Sequence, residues 1–164
     1  MSTSRVPFRT GIGYDSHRLA DGGPMVLGGI HIPFDRHCAG HSDGDAVCHA
    51  ITDALLGAAA LGDIGALFPD TDPANKGKDS IEMLEVAVAA VQAAGWRIGN
   101  VDVTVIAEQP KIGRHRDAMR ARLSAALGVD VADVFVKGKT NETLGWIGRG
   151  EGLAVIAVAT LVAG

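Results

Sequence analysis

Short stretches in which apolar residues alternate with polar ones, or flank paired glycines, predict the β-strands of this chain. The clearest stretch follows residue 100, where three valines alternate with Asp102 and Thr104 until Pro110 ends the strand. The predicted strands cover residues 9–17, two short pieces within 25–32, 101–108, 133–137 and 152–162.

Apolar residues three or four positions apart, with few helix breakers, predict three helices over residues 45–61, 79–94 and 114–127. The first is rich in alanine and leucine and ends at Gly62, whereas the second begins at the capping residue Asp79 and stops at Gly95. Residues 62–78 between them form a long loop, and loops of that length in compact domains are usually functional.

The last predicted strand is apolar on both faces, since Leu153 and Val155 alternate with Ala154 and Ile156. Helices can cover one of these faces. About three helices are too few to cover both, so we expect the other face to form a subunit interface or to line an inner apolar cavity.

Composition limits the class of protein more than its function. The 164 residues are 47% hydrophobic and 21% charged, which predicts one globular domain over residues 10–164 behind a loose leader, residues 1–9. A net charge of -4 gives no overall attraction to nucleic acid or to an anionic membrane, so neither is expected as a partner. Two cysteines, no secretory signal and no apolar span favour the cytoplasm.

Carboxylates and imidazoles with the spacing of metal ligands occur in two places. Asp15 and His17 leave the same face of a predicted strand, and His49 lies between Asp45 and Asp53 at a spacing of four on a predicted helix. One Asp and two His around zinc leave a fourth position open, as in catalytic sites.

Other roles remain open for the neighbours of these candidate ligands. Cys48 is an alternative soft ligand, although a helix turns it about 100° away from His49. Asp45 and Asp53 are candidates for orienting His49, and Asp45 is equally a candidate helix cap.

Three further segments carry polar groups. Residues 63–72 offer carboxylates, a hydroxyl and backbone amides that suit a polyol, although turn chemistry alone explains them too. Five basic residues between Lys111 and Arg122 suit a phosphorylated ligand or nucleic acid, but a solvated helix face is the simpler interpretation because no aromatic residue interleaves. Residues 137–142 combine lysines for phosphate with Glu142 for magnesium.

Seven of these pieces, taken in order, closely resemble the 2-C-methyl-D-erythritol 2,4-cyclodiphosphate synthase family. They are Gly-Tyr-Asp-Ser-His at 13–17, His-Ser-Asp-Gly-Asp at 41–45, Asp-Ile-Gly at 63–65, Phe-Pro-Asp-Thr-Asp at 68–72, Pro-Lys at 110–111, Lys-Thr-Asn-Glu at 139–142 and Gly-Arg-Gly-Glu-Gly at 148–152. The resemblance implies a homotrimer of α/β subunits, each with a four-stranded mixed sheet and helices on one face. Active sites would lie between subunits, around an inner apolar channel.

The resemblance also implies roles for individual residues. Zinc or another divalent transition metal would bind Asp15, His17 and His49. A magnesium or manganese ion would bind Glu142, and His41 and Thr140 would stabilise the transition state. The implied substrate-binding residues are Asp15, His17, His41, Ser42, Asp63, Ile64, Gly65, Phe68, Pro69, Asp70, Thr71, Asp72, Ala107, Pro110, Lys111, Ile112, Gly113, Lys139, Thr140, Asn141, Glu142, Trp146 and Arg149.

The implied reaction is a phosphorus–oxygen lyase step of non-mevalonate isoprenoid biosynthesis. In it, 4-diphosphocytidyl-2-C-methyl-D-erythritol 2-phosphate cyclises and releases CMP. Lys139, Asn141 and Trp146 depart from the pattern of some members, and Arg149 and Glu151 resemble residues at a channel mouth that can hold an isoprenoid diphosphate. Two alternatives are a zinc-dependent phosphohydrolase and a non-catalytic trimeric module that binds isoprenoids.

Overall fold

The computed structural model describes residues 7–69 and 71–164. Most of the predicted leader therefore lies outside the described residues, as does Asp70. The predicted leader was two residues too long, because the first strand already begins at Phe8. Here a strand partner decides the boundary: Phe8 pairs with Val162 of the last strand.

Seven strands and five helices make up the described residues. The strands are β1 (Phe8–Asp21), β2 (Met25–Leu27), β3 (Ile30–Ile32), β4 (Arg36–Cys38), β5 (Trp96–Ile106), β6 (Val134–Lys139) and β7 (Gly152–Ala163). The helices are α1 (Ala46–Ala59), α2 (Ile64–Leu67), α3 (Ser80–Ala93), α4 (Arg116–Leu127) and α5 (Gly145–Gly148). Single 3₁₀ turns occur at Pro73–Asn75, Ile112–Arg114 and Val131–Asp133.

The main sheet is mixed, as predicted, but it has five strands rather than four, in the order β4-β1-β7-β5-β6. Only β5 and β6 run parallel. The additional strand, β4, pairs three residues with the end of β1, and three residues are too few to show an alternating pattern. The strands β2 and β3 form a separate hairpin around Gly28 and Gly29, whose φ angles of 60° and 72° favour glycine.

Helix α1 lies directly against β1, because two glycines remove the side chains that would separate them. A Cβ placed on Gly13 would lie 1.8 Å from the carbonyl oxygen of Ala50, and one on Gly11 would lie 2.1 Å from that of Ala54. This close approach brings the His49 end of α1 next to Asp15 on β1.

The two faces of the sheet differ as the pattern of β7 predicted. On β7, Leu153, Val155 and the alternate residues as far as Leu161 are fully buried under the helices. On the opposite face, Ile12 is 69% exposed, Tyr14 56% and Val158 40%, so apolar side chains of paired strands remain uncovered in the single chain.

Helix α1 ends two residues earlier than predicted. Ala60 adopts the left-handed conformation with φ 58°, and its backbone N–H bonds to the carbonyls of Leu56 and Gly57. Gly62 follows with a φ of 102° in the connection to α2. The predicted loop 62–78 also contains α2 and a 3₁₀ turn, both too short to produce a helical pattern in the sequence.

Two of the basic side chains of α4 lie across the edge of the sheet and hydrogen-bond to its backbone. Arg116 donates from Nε to the carbonyl of Val136 at 2.8 Å, and Arg120 does the same to Val134 at 2.7 Å. Both guanidinium groups lie 5.2 Å from the ring centre of Phe135. The expectation of a simple solvated helix face was wrong for these two residues, because β6 is an edge strand with free carbonyls.

Candidate functional site

Asp15, His17 and His49 converge on one point between β1 and α1. The Asp15 Oδ2 atom lies 2.9 Å from His17 Nε2 and 3.1 Å from His49 Nδ1, and the two histidine nitrogens are 3.5 Å apart. Asp15 and His17 share a strand face because they are two residues apart, and His49 reaches them from the first half of α1. All three side chains are partly buried.

The protein backbone fixes the ring of His17. Its Nδ1 atom lies 2.9 Å from the carbonyl oxygen of Ala39, which can only accept a hydrogen bond. Nδ1 is therefore protonated, and Nε2 is the nitrogen that faces Asp15 and His49. Gly40 contributes space, since a Cβ there would lie 2.9 Å from His17 Cε1.

The charges within the cluster support one another. Burial opposes ionisation of Asp15, but hydrogen bonds and charge interactions with His17 and His49 outweigh it and lower the pKa of Asp15 to about 2. Burial likewise lowers the pKa of His17, yet its contact with the Asp15 carboxylate prevails, so that the His17 pKa is raised. The site thus keeps a carboxylate ready to bind a cation.

The donor set fits a divalent transition metal. Ligand atoms placed about 2.0–2.1 Å from a tetrahedral zinc ion are separated by about 3.4 Å. The three separations here, 2.9, 3.1 and 3.5 Å, are close to that value. Two imidazole nitrogens and one carboxylate oxygen are donors that such ions prefer, whereas calcium and magnesium favour oxygen alone.

The alternative prediction, that Cys48 is a metal ligand, is wrong. Its thiol is fully buried and donates to Asp45 Oδ2 at 3.3 Å, away from His49. Burial raises the pKa of Cys48 well above its ordinary value, which disfavours the thiolate that binds metals.

Asp45 is the helix cap, as one of the two interpretations held. Its buried carboxylate accepts hydrogen bonds from the backbone N–H groups of Val47 and Cys48 and from those of Gly28 and Gly29 in the β2–β3 turn. Asp45 thereby fixes the start of α1 to the hairpin.

Asp53 does not orient His49. Its carboxylate instead accepts the backbone N–H of Ile64 at 2.7 Å and so holds the start of α2.

The three candidate ligands line a cavity of about 330 Å³. Two residues of its wall, Asn75 and Met83, were not indicated by the sequence. The other wall residues are predicted site residues: His41, Ser42, Ile64, Gly65 and Phe68. Asn75 donates to the carbonyl of Pro69 at 3.0 Å and so braces the loop. No local pattern marks Asn75 or Met83, because only folding of the loop against α3 brings them to the cavity.

Two aspartates of the same loop cap short helices and do not line this cavity. Asp63 accepts the N–H of Ala66 at 2.8 Å at the start of α2, and Asp72 accepts that of Ala74 at 2.9 Å. The turn-chemistry interpretation holds for these hydrogen bonds. Pro69 and Thr71 are also absent from the cavity wall.

A second cavity, of about 160 Å³, lies at the ends of β5 and β6. The fold assembles here a group of residues from two predicted segments: Ala107, Pro110, Lys111, Ile112, Gly113, Lys139 and Thr140. Lys137, considered above for phosphate, instead forms an ion pair with Asp102 at 2.6 Å.

The segment after β6 has a constrained backbone. Glu142 and Thr143 have φ angles of 50° and 63°, which side-chain-bearing residues rarely adopt. Glu108, which the sequence did not single out, accepts the backbone N–H of Asn141 at 2.8 Å and that of Thr143 at 3.4 Å. Only its position beside β6 reveals this role.

Within a single chain, Thr140 and Glu142 do not line the cavity that contains His41 and the candidate ligands. Trp146 lines a third cavity, of about 250 Å³, together with Ser16, His17, Arg18 and Glu151. Arg149 forms an exposed ion pair with Glu151 at 2.6 Å. Predicted site residues therefore line three cavities, the first and third of which share His17, whereas Asp63, Glu142 and Arg149 line none of the three.

Among the described residues, no helix combines the length and the apolar character needed to cross a bilayer.

Known proteins share this fold and most of this sequence. A model of the YgbB family matches residues 8–162. The 2-C-methyl-D-erythritol 2,4-cyclodiphosphate synthase of Gemmatimonas aurantiaca is 74% identical over 155 residues, covering 94% of this chain and 93% of that protein. The enzyme of the same name from Chromobacterium violaceum is 59% identical, with 94% and 98% covered.

Solved structures of synthases with this name have a similar fold. A 2C-methyl-D-erythritol-2,4-cyclodiphosphate synthase in its CDP-bound form has a TM-score of 0.86 at 40% identity, with 93% of this chain and 99% of that chain covered. The bifunctional IspDF of Campylobacter jejuni gives a TM-score of 0.92 at 40% identity over 96% of this chain, which spans 42% of that longer protein. The resemblance seen in the sequence is confirmed: this chain belongs to the YgbB family, together with the 2-C-methyl-D-erythritol 2,4-cyclodiphosphate synthases.

Proposed function

We propose that this chain cyclises 4-diphosphocytidyl-2-C-methyl-D-erythritol 2-phosphate to 2-C-methyl-D-erythritol 2,4-cyclodiphosphate and CMP. The observation that carries the proposal is the convergence of Asp15, His17 and His49 at a cavity of about 330 Å³, in a chain 74% identical to a synthase of that name. Such a site suits a phosphoryl transfer, in which positioning and charge stabilisation are the main tasks of the protein.

The reaction exchanges one phosphorus–oxygen bond for another. An oxygen of the substrate's 2-phosphate forms a bond to the β-phosphorus, and the bond from that phosphorus to the bridging oxygen breaks, so that CMP leaves with the electron pair. No protein nucleophile is needed. Because the two phosphates repel each other, the protein must offset their charge and hold the attack in line.

Zinc would be held by Asp15, His17 and His49, and magnesium or manganese by Glu142. Bound there, these cations supply Lewis-acid stabilisation to phosphate oxygens. The choice of zinc follows from the nitrogen-rich donor set, and the choice of magnesium from an oxygen donor beside a diphosphate pocket.

The remaining site residues bind the substrate and shape its approach. His41 and Ser42 line the same cavity as the candidate ligands and would hydrogen-bond the 2-phosphate. The loop from Asp63 to Asp72 would hold the erythritol. The second cavity, between Ala107 and Thr140, would take the cytidine and diphosphate, where the Thr140 hydroxyl donates to a phosphate oxygen.

A homotrimer would join these separated cavities. Thr140 and the metal-binding cluster lie in different cavities of one chain, and Ile12, Tyr14 and Val158 expose an apolar sheet face. Packing this face around a three-fold axis would bury it and place one subunit's second cavity beside its neighbour's metal centre. The same axis would enclose an apolar channel, with Arg149 and Glu151 at a mouth suited to an isoprenoid diphosphate. Buried free thiols at Cys38 and Cys48 support a reducing cytoplasmic location.

Product analysis tests the proposal. The purified protein is incubated with the cytidine diphospho-substrate, zinc and magnesium, and the products are identified by mass. Cyclic diphosphate with CMP supports it. A linear bisphosphate would indicate a phosphohydrolase, and an absence of turnover in metal-loaded protein that still binds isoprenoid diphosphate would indicate a carrier. Sedimentation velocity checks the trimer.

A further inference from the structure

We propose that Ser80 is a positioning residue for the metal centre. Ser80 would hold the His49 ring so that Nδ1, and not Nε2, is the ligand atom. The proposal rests on the metal centre described above but not on the reaction that it serves. Ser80 is the first residue of α3 and is fully buried, whereas His49 lies on α1.

The two nitrogens of His49 face different groups. Nδ1 lies 3.1 Å from Asp15 Oδ2 and 3.5 Å from His17 Nε2, and is thus the nitrogen that completes the cluster. Nε2 points away from the cluster towards two hydroxyl groups, that of Ser80 at 2.9 Å and that of Ser42 at 3.0 Å.

Asp43 determines the direction of the hydrogen bond between Ser80 and His49. The Ser80 hydroxyl forms a short hydrogen bond to Asp43 Oδ1, and a carboxylate oxygen can only accept. Ser80 therefore donates its single hydroxyl proton to Asp43. Its oxygen must then accept a hydrogen bond from the N–H group at His49 Nε2. A neutral imidazole protonated at Nε2 has its lone pair at Nδ1, where the cation would bind.

Hydrogen bonds from backbone N–H groups hold Asp43 beside Ser80. Asp43 Oδ2 accepts the backbone N–H of Ser80 at 3.1 Å, and Oδ1 also accepts that of Asp45 at 3.1 Å. Asp43 thus joins the start of α1 to the start of α3, and the position of Ser80 does not depend on its own side chain.

Ser42 cannot replace Ser80 in this role. Its hydroxyl oxygen accepts the backbone N–H of Gly44 at 3.3 Å, and among the described residues no carboxylate or carbonyl oxygen accepts its proton. Ser42 can therefore donate to His49 Nε2 as readily as it accepts, and it imposes no direction. This difference between two hydroxyls on one nitrogen makes the proposal testable.

The test compares the full-length S80A, S80T and S42A proteins with the wild type, and S124A serves as a matched control. Ser124 is a nearly buried helical serine whose hydroxyl bonds only to a carbonyl of its own helix. Zinc affinity is measured by competition with a chromogenic chelator at fixed pH. In the zinc-loaded proteins, ¹⁵N-histidine NMR measures how slowly the Nε2 proton of His49 exchanges with water.

We expect S80A to lower zinc affinity by about 10-fold to 100-fold and to speed exchange of the Nε2 proton, as when other partners of metal-bound histidines are removed. S80T, which restores the hydroxyl, should recover both properties. S42A should weaken zinc binding less than S80A does, and S124A should leave it unchanged.

Two results would overturn the proposal. One is an S80A protein with wild-type zinc affinity and wild-type exchange. The other is an equal loss of zinc in S80A and S80T with slow exchange retained in both, which would show that Ser80 acts through packing alone. Neither readout requires turnover, so a failure of the proposed reaction would leave this test intact.

Discussion

The carboxylate of Asp53 accepts a hydrogen bond from the backbone N–H of Ile64 at 2.7 Å. Through this contact α1, which carries the candidate metal ligand His49, also fixes the start of the loop that lines the same cavity. One helix thus positions both a candidate ligand and the loop beside it.

Substitutions of Asp53 test the importance of its hydrogen bond to Ile64. Asp53→Ala removes the acceptor and leaves the Ile64 N–H without its partner, so we expect KM to rise about fivefold with a smaller change in kcat. Asp53→Asn keeps an acceptor oxygen at the same place and should remain close to wild type. Steady-state kinetics of the two variants check this, and equal KM values in all three proteins would contradict it.

The same residue has a consequence for stability. Burial raises the pKa of Asp53, although its hydrogen bond to Ile64 opposes the shift. An acid whose pKa is raised by folding loses stabilising effect as the pH rises through that pKa, since the folded state then carries an unfavourable charge. Asp53→Asn should therefore unfold at neutral pH with a free energy no lower than that of the wild type, as measured in urea.

His49→Ala tests the proposed metal centre. It removes one of three donor groups, and we expect zinc to be lost and kcat/KM to fall at least about 100-fold, while circular dichroism shows an unchanged fold. His31→Ala is the matched control, because His31 is exposed in the β2–β3 hairpin and outside the cluster. A His49→Ala protein that keeps the wild-type kcat/KM would contradict the proposed metal centre.

Asp45→Ala should be the most destabilising of these substitutions. It leaves four backbone N–H groups near the start of α1 and the β2–β3 turn without their acceptor in a fully buried place. We expect the free energy of unfolding to fall by about 3 kcal/mol or more. Asp130→Ala, which removes an exposed cap of a 3₁₀ turn, should cost about 1 kcal/mol in the same urea titration.

Neither cysteine should react in the folded protein. Burial raises the pKa of Cys38 to about 12 and that of Cys48 well above its ordinary value, and nearby aspartates add to both shifts. Because the thiolate is the reactive form, iodoacetamide at pH 8 should leave the native protein unlabelled. Mass spectrometry should then find two labels after unfolding in urea, and labelling of native protein would contradict the expectation.

The local pattern predicted the long elements well because each has enough residues to show its period. Helices α3 and α4 begin or end close to Asp79 and Gly128, where capping residues stand in the sequence. The short elements β4 and α2 were missed, since three or four residues are held by their partners and show no period of their own.

The sequence by itself determined that two candidate metal ligands, Asp15 and His17, lie together, because a spacing of two on a strand puts them on one face whatever surrounds them. The tertiary structure decided what lies behind those ligands. Ser80 and Asn75 are separated from His49 by more than twenty residues, and only packing of α3 and its preceding loop against α1 brings them near it. A spacing rule describes one element, whereas the support of a site depends on how separate elements pack.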